Sequence, residues 1–214
     1  MTNNMQAEFK LISPTAEILN KPLPEFKDEI LPEGFTRTKI AEDLFVAMKQ
    51  FGGIGLSANQ VGLPYRMFVM GGHPDMEEGK ARACWNPEII EFSEETIQLS
   101  EGCLTYPLLF LKVTRPVKVK VKYTDNDGKE HIEDLNHMPS RVFQHEFDHM
   151  NGTDFTKHVS KFKLDRAKDK IQKIYDMEKK AAPKTVQLAK KIKREMDEKK
   201  TGVIKPNTDI IIWK

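Results

Sequence analysis

The sequence predicts an α+β fold: antiparallel strands packed around one central helix, with a helical extension at the C-terminal end. Three observations carry that prediction. Between Arg66 and Leu135, short runs of β-branched and aromatic residues are separated by turn signals. Directly after them, Pro139 and Gly152 bracket a helical stretch that carries His145 and His149. From Ser160 onward the pattern changes to narrow apolar stripes amid lysines. Strands followed by a helix that packs on them make an α+β domain. The chain is therefore read as a body over residues 1–160 and a basic, mostly helical extension over residues 161–214.

Taken in order, residues 8–35 contain Pro14, Pro22, Pro24 and Pro32 and read as extended chain and turns on the surface. From Thr36 to Lys49, Ile40, Leu44, Ala47 and Met48 recur at helical spacing and predict a core-facing helix, which Gly52-Gly53 stops. The stretch from Gly53 to Gly62 is small-residue-rich and permits close backbone approach to a ligand. It lacks the Lys-Ser/Thr of a phosphate-binding loop and follows no strand signal, which argues against nucleotide binding. Gln60 is its one long polar side chain after the glycines. Strand signals follow at 66–70, on both sides of Asn86-Pro87, and at 96–100. Val113, Val117, Val119, Val121 and Tyr123 then alternate with polar residues, and Asp125-Asn126-Asp127-Gly128 turns the chain into 130–135.

The 214 residues are 39% hydrophobic and 31% charged, enough apolar content for a core in one domain with an appendage. No apolar run approaches the roughly 18 residues of a membrane span. The first residues lack the order of a signal or transit peptide, so the expected location is the cytoplasm, or the host cytoplasm for a phage gene. Cys84 and Cys103 are expected to be buried or metal-binding rather than disulfide-linked in that compartment. The net charge of +2 hides a segregation. Residues 161–214 hold 17 Lys and Arg against 8 Asp and Glu, a net +9, whereas residues 1–160 hold 17 against 24, a net −7. Lys190, Lys191, Lys193 and Arg194 cluster in one helical pattern whose apolar stripe is Leu188, Ala189, Ile192 and Met196.

The chemistry centres on Gln144-His145-Glu146-Phe147-Asp148-His149. Two histidines four apart share one helix face and can hold one metal ion, with Glu146 beside them to handle the proton of a water. A catalytic site of this kind usually has three protein ligands. Cys103, next to Gly102, is the candidate third ligand, although residue type alone favours a buried structural cysteine. Cys84, beside Trp85, keeps the structural reading. His73, His131, His137 and His158 read as solvent-facing. Val142 and Met138 lie about one and two turns before His145 and, with Ile54 and Leu99, could form an apolar slot or ordinary core. Glu101 and Arg115 flank the Cys103 strand region and are expected to pair, because a carboxylate beside a metal needs a counter-charge.

Three stretches, Gly53-Ile54-Gly55-Leu56-Ser57-Ala58-Asn59-Gln60, Glu101-Gly102-Cys103-Leu104-Thr105 and Gln144-His145-Glu146-Phe147-Asp148-His149, resemble the three signature motifs of the peptide deformylase family, in its order. The resemblance runs weakly from about Phe9 to about Ser160 and implies a deformylase-like fold for residues 1–160. It implies a metallohydrolase that removes the formyl group from N-formylmethionine of nascent polypeptides. In that reading Cys103, His145 and His149 hold one divalent metal, with Fe2+ expected as the native ion and Zn2+ or Ni2+ as alternatives. Glu146 is the general base, and Gln60 and the backbone N–H of Leu104 stabilise the oxyanion. Gly55 pairs its backbone with the peptide, while Ile54, Leu99, Met138 and Val142 receive the methionine side chain. The basic extension implies a ribosome contact; neither DNA nor membrane is expected as a partner.

The sequence departs from the family pattern in several places. Ser57 stands where alanine is common and is expected to be harmless. Thr105-Tyr106 replaces a serine and a small aliphatic residue, and Tyr106 and Phe110 make the following loop bulkier. Two rival readings discriminate cleanly. A zinc peptidase of the His-Glu-x-x-His type would take its third ligand downstream of the helix and leave Cys103 remote from the metal. A non-enzymatic RNA- or ribosome-binding protein would carry no stoichiometric metal.

Overall fold

The computed structural model describes residues 9–74, 76, 79–177 and 179. Helix α1 (Arg37–Gln50) is followed by β1 (Gly55–Ser57), β2 (Met67–Met70), β3 (Arg82–Phe92), β4 (Thr96–Cys103), β5 (Tyr106–Pro116), β6 (Lys118–Thr124), β7 (Glu130–Asn136) and helix α2 (His137–Met150). Five strands form one sheet in the order β1-β2-β3-β6-β7, and β4 and β5 form a separate two-stranded sheet. All pairings are antiparallel. The α+β class read from the sequence is the class of the fold.

The two helices explain the strand sequences between them. β2 reads Met-Phe-Val-Met and is buried throughout. Phe68 and Met70 face a core with Cys84, Val121, Val142 and Phe143, whereas Met67 and Val69 face a second core with Ile40, Leu44, Met48 and Trp85. One strand thus supplies both layers, α2 on one side and α1 on the other, and a strand covered on both faces is apolar without alternation. β6 and β7, nearer the open end, alternate as half-buried strands do.

Local chemistry sets the helix ends. Thr36 caps α1 by accepting from Lys39 N–H at 3.1 Å. Pro139 falls in the first turn of α2, where its missing N–H costs no helical bond. Gly152, at φ 68°, lets the chain leave the helix sharply. α2 then packs against β1, β2, β3 and β6 of the large sheet and against β5 of the small one, which makes it the central element.

Three details differ from the sequence reading. The chain around Asn86-Pro87 is one strand with a bulge, because Asn86 adopts φ 48° and the register slips between Trp85 and Glu88. The alternation from Val113 to Tyr123 is split between two sheets, with Val113 in β5, Val117 in the bend between the strands, and Val119, Val121 and Tyr123 in β6. The proline-rich segment also does more than cover the surface. Leu19, Leu23 and Phe26 are buried, and Pro22 bridges to Asn151 after α2.

The chain falls into two units, residues 1–168 and 169–214. Residues 161–177 are helical. The second helical pattern, from Leu188 to Met196, lies outside the described residues. Among the described residues, no helix is long and apolar enough to cross a membrane.

Candidate metal centre and active site

α2 delivers three of the reactive groups. Helical spacing sets His145 and His149 one turn apart, with ring centroids separated by 5.3 Å. β4 ends at Cys103 and brings its Sγ to 3.4 Å from His149 Nε2. The ligand atoms of Cys103, His145 and His149 lie within 4.8 Å of one another. Among the described residues these three form a grouping able to hold a metal ion. A peptidase-like centre remote from Cys103 is therefore not what this fold builds.

The surroundings fit a cation. His145 Nδ1 lies 3.2 Å from Glu101 Oε2, so Nδ1–H donates outward and Nε2 keeps its lone pair for the centre. Burial opposes thiolate formation at Cys103, but hydrogen bonds and charge from His145 and His149 bring its pKa down to about 6. Burial likewise opposes protonation of His145, and Cys103 and Glu101 pull its pKa upward. One thiolate and two imidazoles converging on a single point are a donor set that suits a divalent cation. His149 Nδ1 is buried with no hydrogen-bond partner among the described residues.

Glu101 is the hub behind the candidate ligand His145. Arg115 Nε donates to its Oε1 at 2.7 Å and Arg115 Nη2 to its Oε2 at 3.0 Å, the pairing expected from the sequence. Arg141 of α2 adds a third bond at 2.5 Å, which no sequence signal indicated. Burial raises the Glu101 carboxyl, yet hydrogen bonds from His145 and Arg115 hold it at about 2. Arg115 also donates to Asp148 at 2.9 Å, and Asp148 pairs with His158 at 2.7 Å. Removing one partner of such a buried pair strands the other charge, so Arg115→Ala is expected to destabilise the fold by about 3–5 kcal/mol. Guanidinium unfolding measures this directly; an unchanged midpoint would show that the pair carries no stability.

The remaining candidates line one cleft of about 890 Å³, which takes in Ile54, Gly55, Gln60, Leu99, Cys103, Leu104, Met138, Val142, His145 and Glu146. Gly55 is required there. A Cβ at that position would collide with Glu146 Oε1 and come within 2.9 Å of Val142 Cγ1. Gln60 is held at both ends of its amide: Oε1 accepts from Ser57 N–H at 2.9 Å, and Nε2 donates to Thr105 Oγ1 at 2.9 Å, with Cys103 Sγ at 3.5 Å. Ser57, read as harmless, donates through Oγ to Glu146 Oε2 at 2.7 Å. Tyr106 turns away from the cleft and donates to Asp154 at 2.7 Å, while Phe110 and Leu108 stay exposed at the rim. His131 and His158 pair with Asp125 and Asp148 and stand outside the ligand cluster.

A helix bearing His-Glu-x-x-His, with a strand-end cysteine beside it and a buried carboxylate behind the first histidine, has the parts of a metal-dependent hydrolase. A model of the polypeptide deformylase family matches residues 15–165. The peptide deformylase of Bradyrhizobium diazoefficiens is 39% identical over 160 residues, covering 73% of this chain and 88% of that protein. A Met-Ala-Ser-bound class I type b peptide deformylase from Acinetobacter baumannii superposes with a TM-score of 0.67 at 29% identity, covering 72% of this chain and all of that one. The Ehrlichia chaffeensis peptide deformylase in complex with actinonin gives a TM-score of 0.66 at 34% identity, covering 77% and 96%. This chain belongs to the peptide deformylase family and is an enzyme of that class.

Proposed function

We propose that this chain hydrolyses the formyl group of N-formylmethionine at the start of nascent polypeptides and releases formate, using the residues gathered in the cleft. The observation that supports this most is that Cys103, His145, Glu146 and Gln60 line a single cleft, with His149 grouped beside Cys103 and His145. Cys103, His145 and His149 hold one divalent cation, which supplies Lewis acidity toward water and the formyl carbonyl. Glu146 takes the proton of the attacking water and passes it to the departing amine. The Nε2–H of Gln60 and the backbone N–H of Leu104 donate to the oxygen on which negative charge develops. β1 is an edge strand, so the backbone at Gly55 is available to pair with an extended peptide. Ile54, Leu99, Met138 and Val142 give the methionine side chain an apolar seat.

One thiolate with two imidazoles suits both iron(II) and zinc. We assign Fe2+ as the native ion, with Zn2+ or Ni2+ able to replace it. Anaerobic purification with metal analysis, followed by assay on a formyl-Met peptide, tests both the activity and the ion. An inert protein without stoichiometric metal would overturn the enzymatic reading.

Residues 1–160 form the catalytic domain in this reading, and residues 161–214 a basic extension that works in the cytoplasm as a tether to ribosomal RNA. The support is the charge segregation, +9 against −7. Binding through phosphates weakens steeply with salt. Cosedimentation with ribosomes is expected to fall as salt rises and to drop when Lys190, Lys191, Lys193 and Arg194 are replaced by Gln, with turnover of small formyl-Met peptides unchanged. Ribosome binding insensitive to both changes would end the tether reading.

A further inference from the structure

Ser57 touches both side chains assigned to acid–base and oxyanion work. It is fully buried in β1. Its Oγ donates to Glu146 Oε2 at 2.7 Å and lies 3.3 Å from the Glu146 carbonyl oxygen. Its backbone N–H donates to Gln60 Oε1 at 2.9 Å.

The strand explains why one residue can do both. Residues 55 and 57 point to the same face of β1, because side chains alternate along a strand. Gly55 leaves the space that Glu146 Oε1 fills, and Ser57 supplies the donor for Oε2. The carboxylate is therefore laid across the strand with one oxygen over each residue. The last torsion of a glutamate is broad, so packing alone leaves the carboxylate plane poorly defined. A fixed hydroxyl on one oxygen selects a single orientation and leaves the other oxygen facing the cleft. The amide of Gln60 is ordered by the same logic. A backbone N–H can donate only to an acceptor, so Oε1 must face Ser57 and the NH2 must face Cys103 and Thr105.

We propose that Ser57 is a positioning residue for the deformylation reaction, setting the plane of the Glu146 carboxylate through its hydroxyl and the direction of the Gln60 amide through its N–H. The proposal rests on the assignment of Glu146 as the base. Ser57→Ala removes the hydroxyl, including the bond it accepts from the Gln60 backbone N–H, while the Ser57 N–H that holds the Gln60 amide stays. Turnover of a formyl-Met peptide is then expected to fall about tenfold or more, as when a hydrogen bond to a charged group is lost. KM is expected to stay within about twofold, because substrate contacts are untouched, and metal content to stay stoichiometric. Ser57→Thr restores the hydroxyl and is expected to recover kcat. Should the extra methyl prevent folding in this buried place, a double-mutant cycle decides alone. In a Glu146→Ala background, adding Ser57→Ala is expected to leave the residual turnover unchanged, because no carboxylate remains to be oriented. Losses that multiply, or a wild-type kcat in Ser57→Ala, would overturn the positioning role. Near-normal turnover in Glu146→Ala alone would instead overturn the base assignment beneath it.

Discussion

Replacing Glu146 by Ala is expected to lower turnover at least about a hundredfold while the metal stays bound, in the range typical for loss of a general base. Glu146 is buried on α2 between the two histidines, yet its carboxylate points to β1 rather than into the ligand cluster. Metal retention therefore separates its role from ligation. Glu146→Gln is the more stringent variant, because it keeps the size of the side chain and an oxygen for the Ser57 hydroxyl but cannot accept the water's proton. Formate release and metal content on the same sample measure both halves. A folded Glu146→Ala with near-normal turnover would remove the base from the mechanism.

The second large effect is expected at Cys103. Cys103→Ser replaces a thiol that His145 and His149 bring to a pKa of about 6 against its burial with a hydroxyl that does not ionise near neutrality. Metal affinity is expected to fall by more than about a hundredfold, beyond the effect of altering a partner behind a ligand, and activity to fall with it. Cys84 is the control. It is fully buried among Phe68, Val121 and Phe143, and burial pushes its thiol well up. Cys84→Ser is expected to cost about 1–3 kcal/mol of stability for an unsatisfied hydroxyl and to leave metal binding intact. The reverse pattern, with metal lost only in Cys84→Ser, would reassign the ligand. In air, the iron form is expected to inactivate sooner than the zinc form, since zinc has no redox chemistry.

The parts of this protein legible in the sequence are those set by local periodicity. The His145–His149 spacing, the α1 stripe, and the alternation and turn of β6 and β7 all follow from contacts within a few residues. β1 was not legible, because three residues inside a glycine-rich stretch carry no period and become a strand only by pairing with β2. The division of Val113 and Val119 between two sheets was hidden for the same reason, since alternation reports a face and not a partner. In the site, Glu101 and Arg115 could be paired from their nearness to Cys103. Arg141, 40 residues from Glu101, and Ser57, 89 residues from Glu146, meet their partners only through the tertiary fold.

The hub at Glu101 has a consequence for metal supply. Arg115 and Arg141 hold Glu101, which orients His145, and Gln60 reaches the Cys103 sulfur from the other side. Two of the three candidate ligands, His145 and Cys103, are thus held by the protein itself, so an ion arriving at the centre is expected to have little of them left to order. A socket of this kind need not be rebuilt when its occupant changes. Chelation followed by reloading with a different divalent ion is therefore expected to proceed without unfolding, which an unchanged far-UV spectrum through the exchange would check.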